Sequence, residues 1–298
     1  MNYQPMQAHQ AVCYGELLWD LLPSGPQPGG APMNVAYHLH KLGCHPAMIT
    51  RIGIDERGRK LLDILKGKSV CTDYIQLDYD VPTGIVHAEQ DAQGDMQYDI
   101  VSPAAWDHIV PDAATTAMVE ATGYFIFGSL ATRNKTSRAT LFELLEAANT
   151  KVLDINLRAP YYSRPLIEAL LEKAHILKMN ADELELVTGW FTNYKSIEDR
   201  IKLVQDRFHI STIVITRGAN GAILNMEGQS YQHPGYRVPV TDTVGSGDSF
   251  LAAIIAMLIQ KADPDTMLDF ANRLAATITT YKGACPNYDI SEADALKI

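Results

Sequence analysis

The chain has 298 residues, enough for one large α/β domain or two modest ones, and 47% of them are hydrophobic. A net charge of −10 with a pI near 5.3 excludes a basic surface of the kind that grips nucleic acid, so no nucleic-acid partner is expected. Residues 250–259, the longest apolar run, are too few to cross a bilayer; the four cysteines lack CxxC spacing and residues 1–10 lack a signal-peptide pattern, so a cytoplasmic protein without membrane contact is expected.

Residues 11–14 read as the first strand. Gly15-Glu16-Leu17-Leu18-Trp19-Asp20 follows it. Asp20 only accepts hydrogen bonds when ionised, which suits sugar hydroxyls, and a solvated loop acid is the alternative. Pro28-Gly29-Gly30-Ala31-Pro32-Met33-Asn34 is a glycine turn opening a helix over 34–42. Pro32 suits a first helical turn, paired glycines admit a ligand to the backbone, and Asn34 can bond a hydroxyl; a plain turn and cap explains the same residues. His38, His40 and His45 invite a metal reading, but positions 38 and 40 point to different helix faces and no further ligand is evident.

A strand over 47–52 and a helix over 58–67 come next. Between them Gly53 to Lys60 has the glycine spacing of a Walker A loop without its Lys-Ser/Thr ending. Residues 83–91 and 95–101 form two extended runs around Ala92-Gln93-Gly94, a β-hairpin that is either a lid or a plain edge. Its exposed edge could pair with a second copy, giving a homodimer through the lid. Trp106, just past it, suits a core position.

Strands over 124–128, 151–155, 176–179 and 212–216 then alternate with helices over 137–148, 165–173, 181–187 and 196–208. This βαβ rhythm predicts a mostly parallel sheet with helices on both faces and ligands beyond the carboxyl ends of the strands. The polar candidates fall there. Asn156 and Arg158 follow one strand, and Arg158 either steadies a phosphate or pairs with a surface acid. Asn180 and Glu183 form a capping box, or orient magnesium waters. Thr216, Gly218 and Gly221 make a tight turn that could flank a nucleotide.

Asp242-Thr243-Val244-Gly245-Ser246-Gly247-Asp248-Ser249-Phe250 then opens an apolar helix. Free N–H groups at such a start favour an anion. A carboxylate at Asp248 beside a phosphate has a use, accepting the proton of an attacking hydroxyl. A tight turn with Asp as cap is the competing account.

Together these motifs resemble the ribokinase-like, or PfkB, family of carbohydrate kinases, in family order from Val12 to about Asn287. The Gly-Gly turn with Asn34 and the Asp242–Asp248 run are the specific signals. The resemblance implies one ribokinase-like α/β domain over 1–298, with a β-hairpin lid at about 83–101. It implies ATP and Mg2+ as cofactors, with K+ beside them. Asp248 would be the catalytic base, and the N–H groups of Gly245, Ser246 and Gly247 an anion hole. Asp20, Gly29, Gly30, Asn34, Asn156 and Arg158 would hold the sugar. Asn180, Glu183, Thr216, Gly218, Gly221, Asn272 and Gly283 would serve the nucleotide and its magnesium. Asp242, Val244, Ile278, Gly283 and Asn287 match the family's monovalent-cation site.

Within the family, Gly15-Glu16-x-x-x-Asp20 with Gly29-Gly30-Ala31-Pro32-x-Asn34 looks most like the fructokinase branch, which converts fructose to fructose 6-phosphate. Ribokinases carry lysine where Ala31 stands. Asp154-x-Asn156-x-Arg158 is shared with 2-keto-3-deoxygluconate kinases, so those, ribose kinases and nucleoside kinases are the rival readings. A non-catalytic sugar-binding regulator on the same fold is another, against which the intact Asp248 speaks. Ser246 and Met33 stand where the family usually has alanine; Ser246 keeps its N–H, and Met33 is expected to reshape the sugar site.

Overall fold

The computed structural model describes residues 8–23, 25–90 and 96–296. Thirteen strands and ten α-helices alternate along it. In chain order the strands are β1 (Ala11–Tyr14), β2 (Leu18–Leu22), β3 (Gly25–Gly29), β4 (Pro46–Gly53), β5 (Ile75–Asp78), β6 (Gly84–Gln90), β7 (Met96–Ile100), β8 (Tyr124–Gly128), β9 (Thr150–Asp154), β10 (Ile176–Asn180), β11 (Thr212–Thr216), β12 (Ala222–Met226) and β13 (Gln229–His233). The helices are α1 (Ala31–Lys41), α2 (Glu56–Gly67), α3 (Ala113–Ala121), α4 (Lys135–Ala147), α5 (Arg164–Leu171), α6 (Ala181–Gly189), α7 (Ile197–Phe208), α8 (Ser246–Ile259), α9 (Pro264–Thr279) and α10 (Ile290–Asp294).

Nine strands form one sheet in the order β13-β12-β11-β10-β9-β8-β1-β4-β5. Pairing is parallel from β11 to β5, and β12 and β13 add antiparallel at one edge. Successive strand residues point to opposite faces. Cys13, Met48 and Val152 join one core with α1, α8 and α9, while Val12, Tyr14, Ile49 and Leu153 join the other with α4, α5, α6 and α7. This is the expected three-layer α/β arrangement. Helix α8 is apolar nearly all round, and every residue from Ser249 to Ala256 is buried, as a central helix must be.

The second sheet has four strands, ordered β3-β2-β6-β7. β6 and β7 form the expected antiparallel hairpin; its turn at Ala92-Gln93-Gly94 lies outside the described residues, as do residues 1–7 of the polar N-terminus. The other two strands correct the sequence reading. Asp20 sits in the middle of β2 rather than in a loop, paired across to Gln27 and to Val86. β3 reads Gly-Pro-Gln-Pro-Gly and pairs only with β2, so its prolines stand on an edge where a missing N–H costs no ladder bond.

The base of this sheet is clamped. Arg133 is forked onto Asp107 at 2.7 Å through both Nε and Nη2, and donates to the carbonyls of Ile100 and Val101. Its guanidinium lies 3.9 Å from the Trp106 ring, and Trp106 is fully buried, as its core assignment required.

Candidate active site

A cavity of about 480 Å³ lies beyond the carboxyl ends of β9, β10 and β11, under the four-stranded sheet. From the small sheet it takes Leu18, Asp20 and Leu22, one face of β2. Trp19, on the other face, turns to α2 and donates to the Arg57 carbonyl. From the large sheet the cavity takes Asp154, Lys178, Asn180 and Thr216 at strand ends, with Asn156 and Arg158 just beyond β9. Asn34 on α1 and Asp248 on α8 complete the wall.

Asn34 Nδ2 donates to Asp248 Oδ2 at 2.7 Å, and Cys285 Sγ donates to Asn34 Oδ1 at 3.3 Å. The amide is therefore oriented, with its donor end on the acid. Burial pushes Asp248 up to about 6, with the Lys178 ammonium and the Asn34 amide pulling the other way. Burial likewise pushes Asp20 up to about 6, opposed by Arg158. Both acids carry a charge at neutral pH and give it up in mild acid.

Gly245 begins α8 in the left-handed region, with φ of 77°. A Cβ there would stand 2.6 Å from Ala284 Cα, so only glycine fits. The N-cap has no side-chain partner, which leaves N–H groups of the first turn facing the cavity. Ser246 corrects the expectation: its N–H is turned to the Thr243 carbonyl at 3.3 Å, and it does not line the cavity, whereas Gly245, Gly247 and Asp248 do. Asp242 stitches this turn to the loop opposite, accepting from Val244 N–H at 3.0 Å and Gly283 N–H at 2.9 Å. His38 supports the same loop. Burial pushes it down to about 4, so it is neutral; its Nε2 meets the Ala284 carbonyl at 2.9 Å and its Nδ1 meets the Tyr288 hydroxyl at 3.1 Å. The carbonyl can only accept, so Nε2 carries the proton.

Two residues beneath the turn escaped the sequence reading. Lys178 Nζ contacts Asp154 Oδ2 at 2.6 Å, with both side chains under a tenth exposed. The ammonium lies 3.2 Å from where a Gly247 side chain would begin. Burial acts to lower Lys178, yet Asp154 and Asp248 leave it above the usual lysine range. The available signal was a lysine inside the apolar strand Ile176-Leu177-Lys178-Met179, which needs a buried partner.

Asn180 and Glu183 form the expected capping box, each donating at 2.8 Å. Glu183 also accepts from the Leu157 N–H at 2.8 Å, so both its oxygens are engaged. Burial raises it above the usual glutamate range. Among the described residues no group of three or more His, Cys, Asp or Glu could hold a metal. A divalent ion here would have to ride on a ligand's phosphates.

Several expected residues do not line the cavity. Gly29 packs on the Asp20 carboxylate instead. Asn272 is buried and donates to its own helix, at the Leu268 carbonyl. Ile278 is wholly in the core, while Gly218 and Asn287 are exposed and Gly221 lies under the His233–Gly235 backbone. Met33 is also core, touching Cys285 Sγ through its sulfur at 3.9 Å, so it does not narrow the site. Gly30, Asn34, Asn156, Arg158, Asn180, Glu183, Thr216, Asp242, Val244 and Gly283 do line it. No helix among the described residues is long and apolar enough to cross a membrane.

The model of a family described as pfkB family carbohydrate kinase matches residues 25–290. A fructokinase of Klebsiella pneumoniae is 30% identical over 292 residues, covering 91% of this chain and 93% of its own. An uncharacterized sugar kinase of Pyrococcus horikoshii superposes with a TM-score of 0.83 at 25% identity, covering 95% of this chain and 98% of its own. A fructokinase of Vibrio cholerae, solved with fructose, ADP and calcium ion bound, superposes with a TM-score of 0.79 at 25% identity, covering 93% and 94%.

Proposed function

Since the chain belongs to the pfkB family of carbohydrate kinases and is a sugar kinase, we propose that it transfers the γ-phosphate of ATP to the 6-hydroxyl of fructose. The observation that carries this is the Asn34–Asp248 hydrogen bond at 2.7 Å in a cavity that also holds Asp20 and the open start of α8. Asp248 Oδ2 is held by the amide, which leaves Oδ1 to accept the proton of the attacking hydroxyl. Asp20 and the second hydrogen of the Asn34 amide would bind other sugar hydroxyls. The N–H groups of Gly245 and Gly247, with Lys178 beside them, would meet charge on the transferring phosphoryl group.

The residues fit a nucleotide's phosphates at the start of α8, where a Cβ on Gly245 would fill the cradle. Magnesium on those phosphates would supply charge neutralisation, with Asn180 and Glu183 nearest to its waters. Potassium against the 242–244 turn and the Gly283 loop belongs to the same proposal. The four-stranded sheet would act as the lid of a single kinase unit, excluding water from the sugar.

Arg158 supports one rival. It lines the cavity and faces Asp20 and Asp248, where it could meet the carboxylate of 2-keto-3-deoxygluconate. Coupled ADP release measured with fructose, ribose, 2-keto-3-deoxygluconate, glucose and adenosine separates the substrates; fructose should give the highest kcat/KM. In the same assay Asp248→Asn should lower kcat by two to four orders of magnitude, roughly what a positioned base contributes, with sugar binding nearly intact. Near-normal turnover in that variant would remove Asp248 as the base.

A further inference from the structure

Glu16 is 4% exposed and lines the cavity. It sits where the turn after β1 meets the turn before α1; a Cβ on Gly30 would overlap its carbonyl oxygen. Its carboxyl group accepts from its own N–H and from Ala31 N–H, at the start of α1. That accounts for one oxygen. Oε2 has no hydrogen-bond partner among the described residues. A cap on α1 would explain the first contact and leave the second oxygen stranded, at the cost of an unmet buried polar atom.

We propose that Glu16 is a specificity-determining residue of the sugar site, donating as a neutral acid from Oε2 to an oxygen of the bound sugar. This rests on the sugar-kinase site described above, and it adds a donor to a wall otherwise rich in acceptors. The groups that bear on Glu16 agree with it. Asp248 on α8 repels its charge, Arg158 beyond β9 favours it, and the N–H of Ala31 on α1 favours it. Asp20 on β2 shares the cavity. Burial outweighs the favourable groups and pushes Glu16 up to about 7, above Asp20 and Asp248 at about 6. Of the three acids it keeps its proton to the highest pH. Two ionised acids then accept from sugar hydroxyls while one neutral acid donates, a division set by environment alone.

The test is fructose affinity without nucleotide, by calorimetry between pH 5 and 9, on the full-length protein; a sugar that supports turnover replaces fructose if fructose does not. Wild-type affinity should fall as pH rises through about 7, by about tenfold for one lost hydrogen bond. Glu16→Gln keeps a donor that does not titrate, so it should bind tightly and lose that high-pH decline. Glu16→Leu should bind about tenfold more weakly at every pH, with kcat changed little. A purely structural Glu16 would lower the unfolding midpoint in both variants and leave the pH profile of binding unaltered, which overturns the proposal. If Glu16→Leu does not fold, the Glu16→Gln profile decides alone. Sugar binding whose decline persists in Glu16→Gln refutes this role only. Absence of binding by any sugar of the panel in wild type refutes both it and the kinase site on which it rests.

Discussion

Removing Lys178 should separate the stability of this site from its chemistry. Lys178→Met deletes the cation held 2.6 Å from Asp154, in a pair whose side chains are 9% and 7% exposed. Asp154 Oδ1 already lacks a partner, so the variant leaves a buried carboxylate with no countercharge. Breaking such a pair costs about 3–5 kcal/mol, a large share of the roughly 5–15 kcal/mol that holds a domain folded. Replacing both partners by apolar residues removes the stranded charge. The Asp154→Val/Lys178→Met double variant should therefore recover most of the loss in urea unfolding. Turnover should not recover, because the ammonium beside Gly247 is absent from both variants. Two outcomes refute the reasoning. Unfolding of Lys178→Met within about 1 kcal/mol of wild type would mean that the pair is not buried in solution. Wild-type turnover in the double variant would mean that the cation takes no part in phosphoryl transfer.

The pH profile gives a second check. A base must be ionised, so kcat/KM should rise with pH through about 6 as Asp248 loses its proton. Lys178 holds that value down, so in Lys178→Met the same limb should move to higher pH; an unmoved limb would assign it to another group. The clamp under the small sheet gives a third. Arg133→Met strands Asp107, whose side chain has no exposure, and should cost about 3–5 kcal/mol in denaturant unfolding; a cost near zero would refute the clamp.

The main alternation was legible because each parallel strand is a short apolar run bounded by polar turns. The strand readings over 11–14, 124–128 and 212–216 coincide with β1, β8 and β11. β2 and β3 were not legible. Leu18-Trp19-Asp20-Leu21-Leu22 has no turn signal on its N-terminal side, and the two prolines of β3 argue against a strand unless it is known to be an edge. The parallel partner of β2 is β6, far along the chain, and local pattern carries no information about it. In the site, Asp248 and the glycines around it were legible because a turn and the start of a helix are local events. Lys178 was not, since its partner lies 24 residues away on the neighbouring strand. Ser246 and Met33 show the converse: a motif position does not say which way a group faces.

The sequence by itself determined the order of strands and helices, the two glycine turns and the acid at the head of α8, because backbone torsions and helix starts depend on residues a few positions apart. Only the tertiary structure decided which groups share one cavity. Asn34 reaches Asp248 across 214 residues, and Glu16, Asp20 and Lys178 join them through the packing of two sheets and two facing helices. Burial in that shared space, rather than any local motif, sets which acids are charged and which keeps its proton.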